Sequence, residues 1–332
     1  MQAHETDSLA GGGLLAADDI WPAMAHYSGS GKRTALVTLV GVEGGAPRTV
    51  GAQLAVCEDG RYHGYLSGGC LEQAVALEAV QSIGTGQNQT IRYGRGSKFI
   101  DVKLPCGSGM DLFFDCTIGV PEIAAAGALR AVRRPFAMRS DLTPGANARS
   151  VIEAITAGAL PVTARDANRF VRVYAPSVRL VLFGSGPAAA GIAEIAKASG
   201  LDIEVWSPDD ATRTHLVRHA IPASAGSQSC THLLSSIDSH TAVIVAFHEH
   251  HMEPDLIARA LESNSFYIGV LGSRAVHMQR LETLRAMGVL EPQMARIRAP
   301  IGLIPGAKSK ATLAIGVIAD LFAEAKRLDF VT

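Results

Sequence analysis

The sequence predicts an α/β protein: a C-terminal doubly wound parallel sheet preceded by a smaller N-terminal α/β domain. Three observations predict it. The chain has 332 residues, 48% of them hydrophobic, enough for two cores. Its second half alternates buried-type strands with helix-period segments. Its first half is a series of short β-rich runs broken by glycine.

In chain order, "MQAHETDSLAGGG" lacks the basic-then-apolar order of a secretion signal, so residues 1–17 are expected to be a flexible N-terminus. "TALVTLVGV" (34–42) and "AQLAVCE" (52–58) read as strands. Asp59-Gly60 supplies a hairpin turn into the return strand "RYHGYLS". From Cys70 the period changes: Leu71, Ala74, Val75, Leu77 and Val80 suit a helix running to about Ile83. "QTIRYG", "FIDVKL" and "MDLFFDC" are further strands, which completes a small sheet with one packed helix over residues 18–118. Between 119 and 177 a connecting region holds the helix "PEIAAAGALRAVRR" and "RSDLTPGANARS", whose turn formers predict a surface loop.

Residues 178–330 form the second domain. "RLVLFGS", "DIEVWS", "AVIVAF" and "FYIGVLG" are its strands, separated by helices. The last helix carries Leu313, Val317, Leu321 and Ala325 along one stripe. This rhythm predicts a parallel sheet with right-handed crossovers.

Composition excludes several functions. A formal net charge of −1 gives no pull toward nucleic acid or an anionic membrane. No apolar run approaches the ~18 residues that span a bilayer. Five cysteines, an odd number without close pairing, argue against a disulfide framework and for a reduced cytoplasmic setting.

Several motifs carry chemistry. Gly184-Ser185-Gly186-Pro187-Ala188-Ala189 matches G-x-G-x-x-[G/A] between a strand and a helix, the Rossmann-like placement for a phosphate. There a pyrophosphate approaches the backbone and meets unpaired N–H groups at the helix N-terminus. Ordinary NAD(P) use fits less well. Pro187 removes a donor, and "VWSPDD" puts Ser207 where an acid would hold the ribose, with Asp209 and Asp210 slightly late. A pterin or another phosphate-bearing ligand fits the same loop, and an NAD(P)-dependent oxidoreductase stands as the alternative function. "AFHEHHMEPD" places His248 and His250 on one face after a strand, as pocket lining or proton carriers rather than metal ligands. Gly272-Ser273-Arg274 repeats the strand–glycine–helix theme, with Ser273 as cap and Arg274 as a fixed charge. Gly302, Gly306 and Lys308 precede Ser309, the expected cap of the last helix.

In the first half, "GVEGGAPRTVGAQL" sets Pro47 and Arg48 among small residues, where a guanidinium can fork onto phosphate. "YLSGGCLEQAV" allows two readings. Gly68 and Gly69 clear room while Ser67 or a backbone N–H binds an anion and Cys70 gains thiolate character from the helix dipole. Alternatively, the glycines make a sharp turn and Cys70 packs as a small apolar residue. "LPCGSGM" offers a third glycine-bearing loop, with Cys106 and Gly107.

Taken in order, "GGAPRTVGAQLAV", "SGGCLE", "LPCG", "VLFGSG", "FHEHH", "YIGVLGSR" and "APIGLIPGAK" resemble the XdhC/CoxI family of xanthine dehydrogenase accessory proteins. The resemblance runs over roughly residues 34–325 and is weakest between 119 and 177. It implies a cofactor-insertion chaperone rather than a catalyst. Such a protein binds molybdenum cofactor (molybdopterin or its dinucleotide form), protects it and supports its sulfuration. It then inserts the cofactor into a xanthine dehydrogenase/aldehyde oxidoreductase-type molybdenum hydroxylase, with a cysteine desulfurase as a further partner. A cytoplasmic homodimer is the expected form. By position, the resemblance carries cofactor-binding roles to Pro47, Arg48, Ser67, Gly68, Gly69, Cys70, Glu72, Cys106 and Gly107. In the second half it carries them to Gly184, Gly186, His248, His250, Gly272, Ser273, Arg274 and Gly302. Given such a cargo, Cys70, with or without Cys106, is the thiol expected near the molybdenum. The chain departs from the family pattern at Trp206-Ser207-Pro208, at Pro187 and at Ile304-Pro305.

Overall fold

The computed structural model describes residues 19–46, 48–67, 69, 71–97, 107, 109–144, 150–155, 162–247 and 252–331. The expected flexible N-terminus and the strand "FIDVKL" lie outside them. The chain divides between Pro176 and Ser177 into two compact units.

In the first unit α1 (Trp21–Gly29) precedes β1 (Thr34–Glu43), β2 (Gln53–Cys57) and β3 (Tyr62–Gly64). Then come α2 (Glu72–Thr85), β4 (Gln89–Gly94), β5 (Gly109–Asp115) and α3 (Val120–Ala131). The five strands form an antiparallel sheet in the order β3-β2-β1-β5-β4. Both of its faces are covered, which is why "TALVTLV" reads as a continuous apolar run instead of alternating. Val37, Leu39 and Phe114 point to one side, where α2 lays down Val75, Ala79 and Ile83. Leu36, Ala55 and Cys57 point to the other, against Trp21 and Met24 of α1 and Ile123 and Ala126 of α3. Full burial of a side chain such as Ile83 stabilises by about 1.5–3 kcal/mol. The helix α2 stops at Gly86, whose left-handed backbone (φ 68°) returns its N–H to the Ser82 carbonyl.

The stretch between 119 and 177 packs onto this unit. A second antiparallel sheet, β7-β6-β9-β8, comprises β6 (Phe136–Asp141), β7 (Ser150–Ala154), β8 (Ala164–Asp166) and β9 (Arg169–Tyr174). Phe136 and Met138 of β6 enter the α1–α3 core. The expectation of loop over 139–150 is corrected at both ends: Arg139–Asp141 belong to β6 and Ser150 opens β7. The strands pair through Ser140 and Ser150, whose hydroxyls lie 2.7 Å apart, and this long-range pairing overrides the local turn composition.

The second unit runs β10 (Arg179–Gly184), α4 (Gly186–Ala198), β11 (Asp202–Trp206), α5 (Asp210–Arg218), β12 (Ala223–Ser224) and α6 (Ser227–Ser235). It continues with β13 (Thr241–Ala246), α7 (Glu253–Leu261), β14 (Tyr267–Val270), α8 (Arg274–Ala286), α9 (Glu291–Met294), β15 (Ile297–Arg298) and α10 (Lys310–Arg327). All strands are parallel, in the order β12-β11-β10-β13-β14-β15. This is the doubly wound sheet the sequence predicts. Leu180, Leu182 and Ile244 face α4 and α10, while Val181, Phe183 and Val245 face α6, α7 and α8. The strand order reverses between β10 and β13, so the crevice of a doubly wound sheet opens beyond Gly184 and Ala246. Ser273 and Ser309 cap α8 and α10 as expected, accepting from the N–H groups of Val276 and Thr312.

Candidate functional site

The register of the first sheet gathers the N-terminal motifs. Glu43 pairs with Gly109, Gly94 with the same Gly109, and Leu54 with Gly64. The end of β1, the start of β2, and the ends of β3 and β4 therefore share one rim with the start of β5. Three connections leave from it: β1 to β2, with Arg48; β3 to α2, with Ser67, Gly69 and Glu72; and β4 to β5, with Gly107. Residues far apart in sequence thus arise from one sheet end. Arg48 is half-buried there, and Gly107 is exposed.

Within the β3–α2 connection, the Glu72 carboxylate is an internal anion. One oxygen accepts from the N–H groups of Leu66 (2.8 Å) and Ser67 (2.7 Å). The other accepts from the Ser67 hydroxyl (2.8 Å) and the N–H groups of Gly69 (2.9 Å) and Leu71 (3.1 Å). Ser67 Oγ in turn accepts from Leu71 N–H at 2.9 Å. Glu72 is 1% exposed. Burial pushes against its ionisation, but the hydrogen bonds from Ser67 and Leu66 outweigh it and hold the carboxyl below its ordinary value. Gly69 completes the bend at φ 111°, a left-handed conformation that disfavours a side chain. The Ser67 hydroxyl and the amides of Leu66, Ser67, Gly69 and Leu71, which one of the two sequence readings offers to an anionic ligand, are therefore taken by the chain's own carboxylate. Glu72 positions the loop.

The same rim carries charge. Arg92 pairs with Glu43 and with Asp111, and Arg165 lies 3.6 Å from Asp111. Sequence reading missed this cluster because its members come from β1, β4, β5 and β8, with no motif to link them.

The carboxyl edge of the second unit brings Gly184, Gly186, Gly272, Ser273 and Arg274 to one side of the parallel sheet, with Gly302 following β15. The glycine loop differs from its expected use. Ser185 N–H donates to the Ala246 carbonyl (3.1 Å), Gly186 N–H donates to Thr212 Oγ1 (2.8 Å), and Pro187 has no N–H. Three successive positions thus offer no free amide to a phosphate. Gly184 is glycine for closeness: a Cβ there would lie 2.5 Å from the Ala246 carbonyl oxygen. Gly186 needs φ 78°. Asp209, considered for a ribose, caps α5 instead, accepting from Thr212 N–H (2.8 Å) and from its hydroxyl. Ser207 is fully buried. Beside this loop a cavity of about 600 Å³ opens between α4, α5 and the start of α10, lined by Pro187, Glu194, Thr212, His215 and Lys310 among others.

At the β14 end, Arg280 of α8 lies buried beneath the Gly272 loop. It donates to Glu253 of α7 (2.7 Å) and to the Leu271 carbonyl (3.0 Å). Arg274 is exposed. Gly302 runs against α10, where a Cβ would sit 3.3 Å from the Gly316 backbone.

Pro47, Gly68, Cys70, Cys106, His248 and His250 lie outside the described residues. The described cysteines Cys57, Cys116 and Cys230 are free thiols. The metal-competent group found among the described residues is one the sequence reading passed over: Glu194, His215 and His219. Its legible half was the four-residue spacing of the histidines, which puts both on one helical face.

An antiparallel unit with three motif-bearing loops at one rim, followed by a Rossmann-type unit whose glycine loop is internally closed, defines a class of two-part α/β protein. Residues 28–94 match the family model described as "XdhC and CoxI family", and residues 180–321 match the "XdhC Rossmann domain". The molybdenum cofactor insertion chaperone PaoD of Escherichia coli K12 is 36% identical over 301 residues, covering 88% of this chain and 83% of that one. A probable xanthine dehydrogenase subunit from Bacillus subtilis is 26% identical over 88% of this chain and 93% of its own. A crystal structure described as a xanthine dehydrogenase from Bacillus halodurans superposes with a TM-score of 0.72 at 18% identity, over 92% of this chain and 96% of that one, a likeness of fold. The chain belongs to the XdhC and CoxI family.

Proposed function

We propose that this protein is an accessory factor that binds molybdenum cofactor, shields it and supports its sulfuration and insertion into a molybdenum hydroxylase of the xanthine dehydrogenase or aldehyde oxidoreductase type. The observation that carries this reading is the 36% identity to a molybdenum cofactor insertion chaperone, sustained over 88% of the chain. In this reading the protein works in the cytoplasm as a homodimer, with a cysteine desulfurase supplying sulfur.

The cofactor is cargo here. It brings phosphate, a pterin edge and a soft metal, which call for a forked cation, polar contacts and a thiolate. Arg48, a described cation in a motif loop of the rim, is proposed to meet the phosphate, and Cys70 is the residue proposed to meet the metal. Glu72 holds the amides of Gly69 and Leu71, the sequence neighbours of Cys70, so it acts by positioning. The closed glycine loop supports a ligand other than NAD(P). The amides of Ser185 and Gly186 are bound within the chain, Pro187 has none, and Asp209, the acid nearest the ribose position, is engaged as a cap.

The test is to co-produce the protein with an active molybdenum pathway and identify the bound pterin by mass after oxidative release. Expected is a pterin in the wild type, sharply reduced in Arg48→Ala and Cys70→Ala, with parallel loss of activation of the apo-hydroxylase. Pterin-free protein that binds NADPH tightly and turns over a small substrate would overturn the proposal.

A further inference from the structure

We infer that Glu194, His215 and His219 form a binding site for a divalent transition-metal ion of the zinc class, which ties α4 to α5 beside the glycine loop. Each side chain offers one ligand atom, and these atoms lie within 4.8 Å of one another. Two imidazoles and one carboxylate suit zinc and its first-row neighbours, whereas magnesium and calcium favour oxygen alone.

The geometry goes beyond proximity. His219 Nδ1 lies 2.9 Å from the His215 carbonyl, an acceptor only; the tautomer this contact favours has the proton on Nδ1 and leaves the Nε2 lone pair for a metal. That backbone bond to the non-ligating nitrogen is the kind of support that orients histidine ligands in metal sites. The two imidazoles lie 4.4 Å apart between centroids, and His215 Nε2 stands 2.5 Å from a Glu194 oxygen. An ion entering between these two atoms replaces their direct contact with two metal bonds. Of the neighbouring cations, Lys197 turns its ammonium to the carbonyls of His219 and Ala220, where it pins the end of α5, and Lys310 lines the same cavity as Glu194 and His215. Three protein ligands leave a fourth tetrahedral position to water. Because Glu194 and His215 also line the cavity, the bound ion would stand at its wall. Nothing in this inference rests on the molybdenum reading.

The experiment titrates the full chain, stripped with chelator and kept reduced, with Co²⁺ and then Zn²⁺. Expected is uptake of one equivalent of Co²⁺ with visible d–d bands and no thiolate charge-transfer band, displaced by Zn²⁺. His219→Ala and Glu194→Gln should each weaken uptake by at least the roughly 10- to 100-fold that loss of a supporting residue costs. His215→Ala/His219→Ala should abolish it. All three residues are partly or fully exposed, so these variants are expected to fold. Zn²⁺ should raise the Tm of the wild type and leave that of the double variant unchanged. Uptake that persists in the double variant, thiolate bands alone, or no uptake would each overturn the site.

Discussion

Gly186 gives its amide proton to Thr212 Oγ1 at 2.8 Å, so a hydroxyl from the next helix closes the glycine loop of the second unit. A phosphate usually occupies that donor in dinucleotide-binding folds. Here the bond runs on to Asp209, the cap of α5, and joins two helix N-termini into one polar chain.

Thr212→Val removes the hydroxyl at nearly constant shape and leaves the Gly186 amide without its acceptor. A loss of about 1–3 kcal/mol is expected, read as a lower urea midpoint at unchanged slope. Thr212→Ser should lose less than half as much.

Glu72→Gln sets an amide NH₂ group among amide donors and breaks the clasp on Leu66, Ser67, Gly69 and Leu71. The expected cost is about 2–4 kcal/mol, seen as faster hydrogen exchange at Leu66, Ser67, Gly69 and Leu71 with unchanged far-UV CD. The effect depends on pH. The Glu72 carboxyl is held below its ordinary 4.5, so its stabilisation is complete above that value and fades as pH falls through the lower folded value. The stability gap between wild type and Glu72→Gln should therefore narrow below pH 4.5.

Gly184→Ala and Gly186→Ala separate two reasons for glycine. The first drives a methyl to 2.5 Å from a backbone carbonyl that cannot step aside, at the upper end of the roughly 1–3 kcal/mol of overpacking. The second meets open space and costs only the left-handed backbone, about 1–2 kcal/mol. Thermal unfolding should rank Gly184→Ala as the less stable.

Arg280→Met strands the buried Glu253 carboxylate, at an expected 3–5 kcal/mol, about the cost of breaking a buried pair. The double variant Arg280→Met/Glu253→Leu should recover most of it. A double variant no better than Arg280→Met would mean that Arg280 acts through Leu271 rather than Glu253.

Much of the architecture could be read from local pattern. Strands β10 and β13 are short apolar runs bounded by turn signals, and α10 shows its buried stripe at Val317, Leu321 and Ala325 directly. The motif loops were also legible as places. Their chemistry was less so, because it depends on partners that local spacing does not indicate. The glycine loop reads as a phosphate cradle until Thr212 arrives from α5 to take its amide. "SGGCLE" reads equally as room for an anion and as a sharp turn, whereas the described Ser67 hydroxyl and the amides of Leu66, Ser67, Gly69 and Leu71 are held by Glu72, inside the motif itself. Residues 139–150 read as loop because Thr143, Pro144 and Gly145 dominate the composition, while the pairing of β6 with β7 and β9 is long-range. The metal-competent cluster escaped because its carboxylate comes from α4 and its imidazoles from α5.

The antiparallel sheet of the first unit has two rims of different build. The Asp59-Gly60 hairpin and the α2-to-β4 return, where Asn88 bonds Asp115 and the Cys116 amide, lie at the rim opposite the motif loops. Under the function proposed above, the motif loops can be lengthened to retune cofactor uptake with the strand slab behind them left intact, so long as the Glu72 clasp is spared; the opposite border, tied to the strand ends through Asn88, has no such slack.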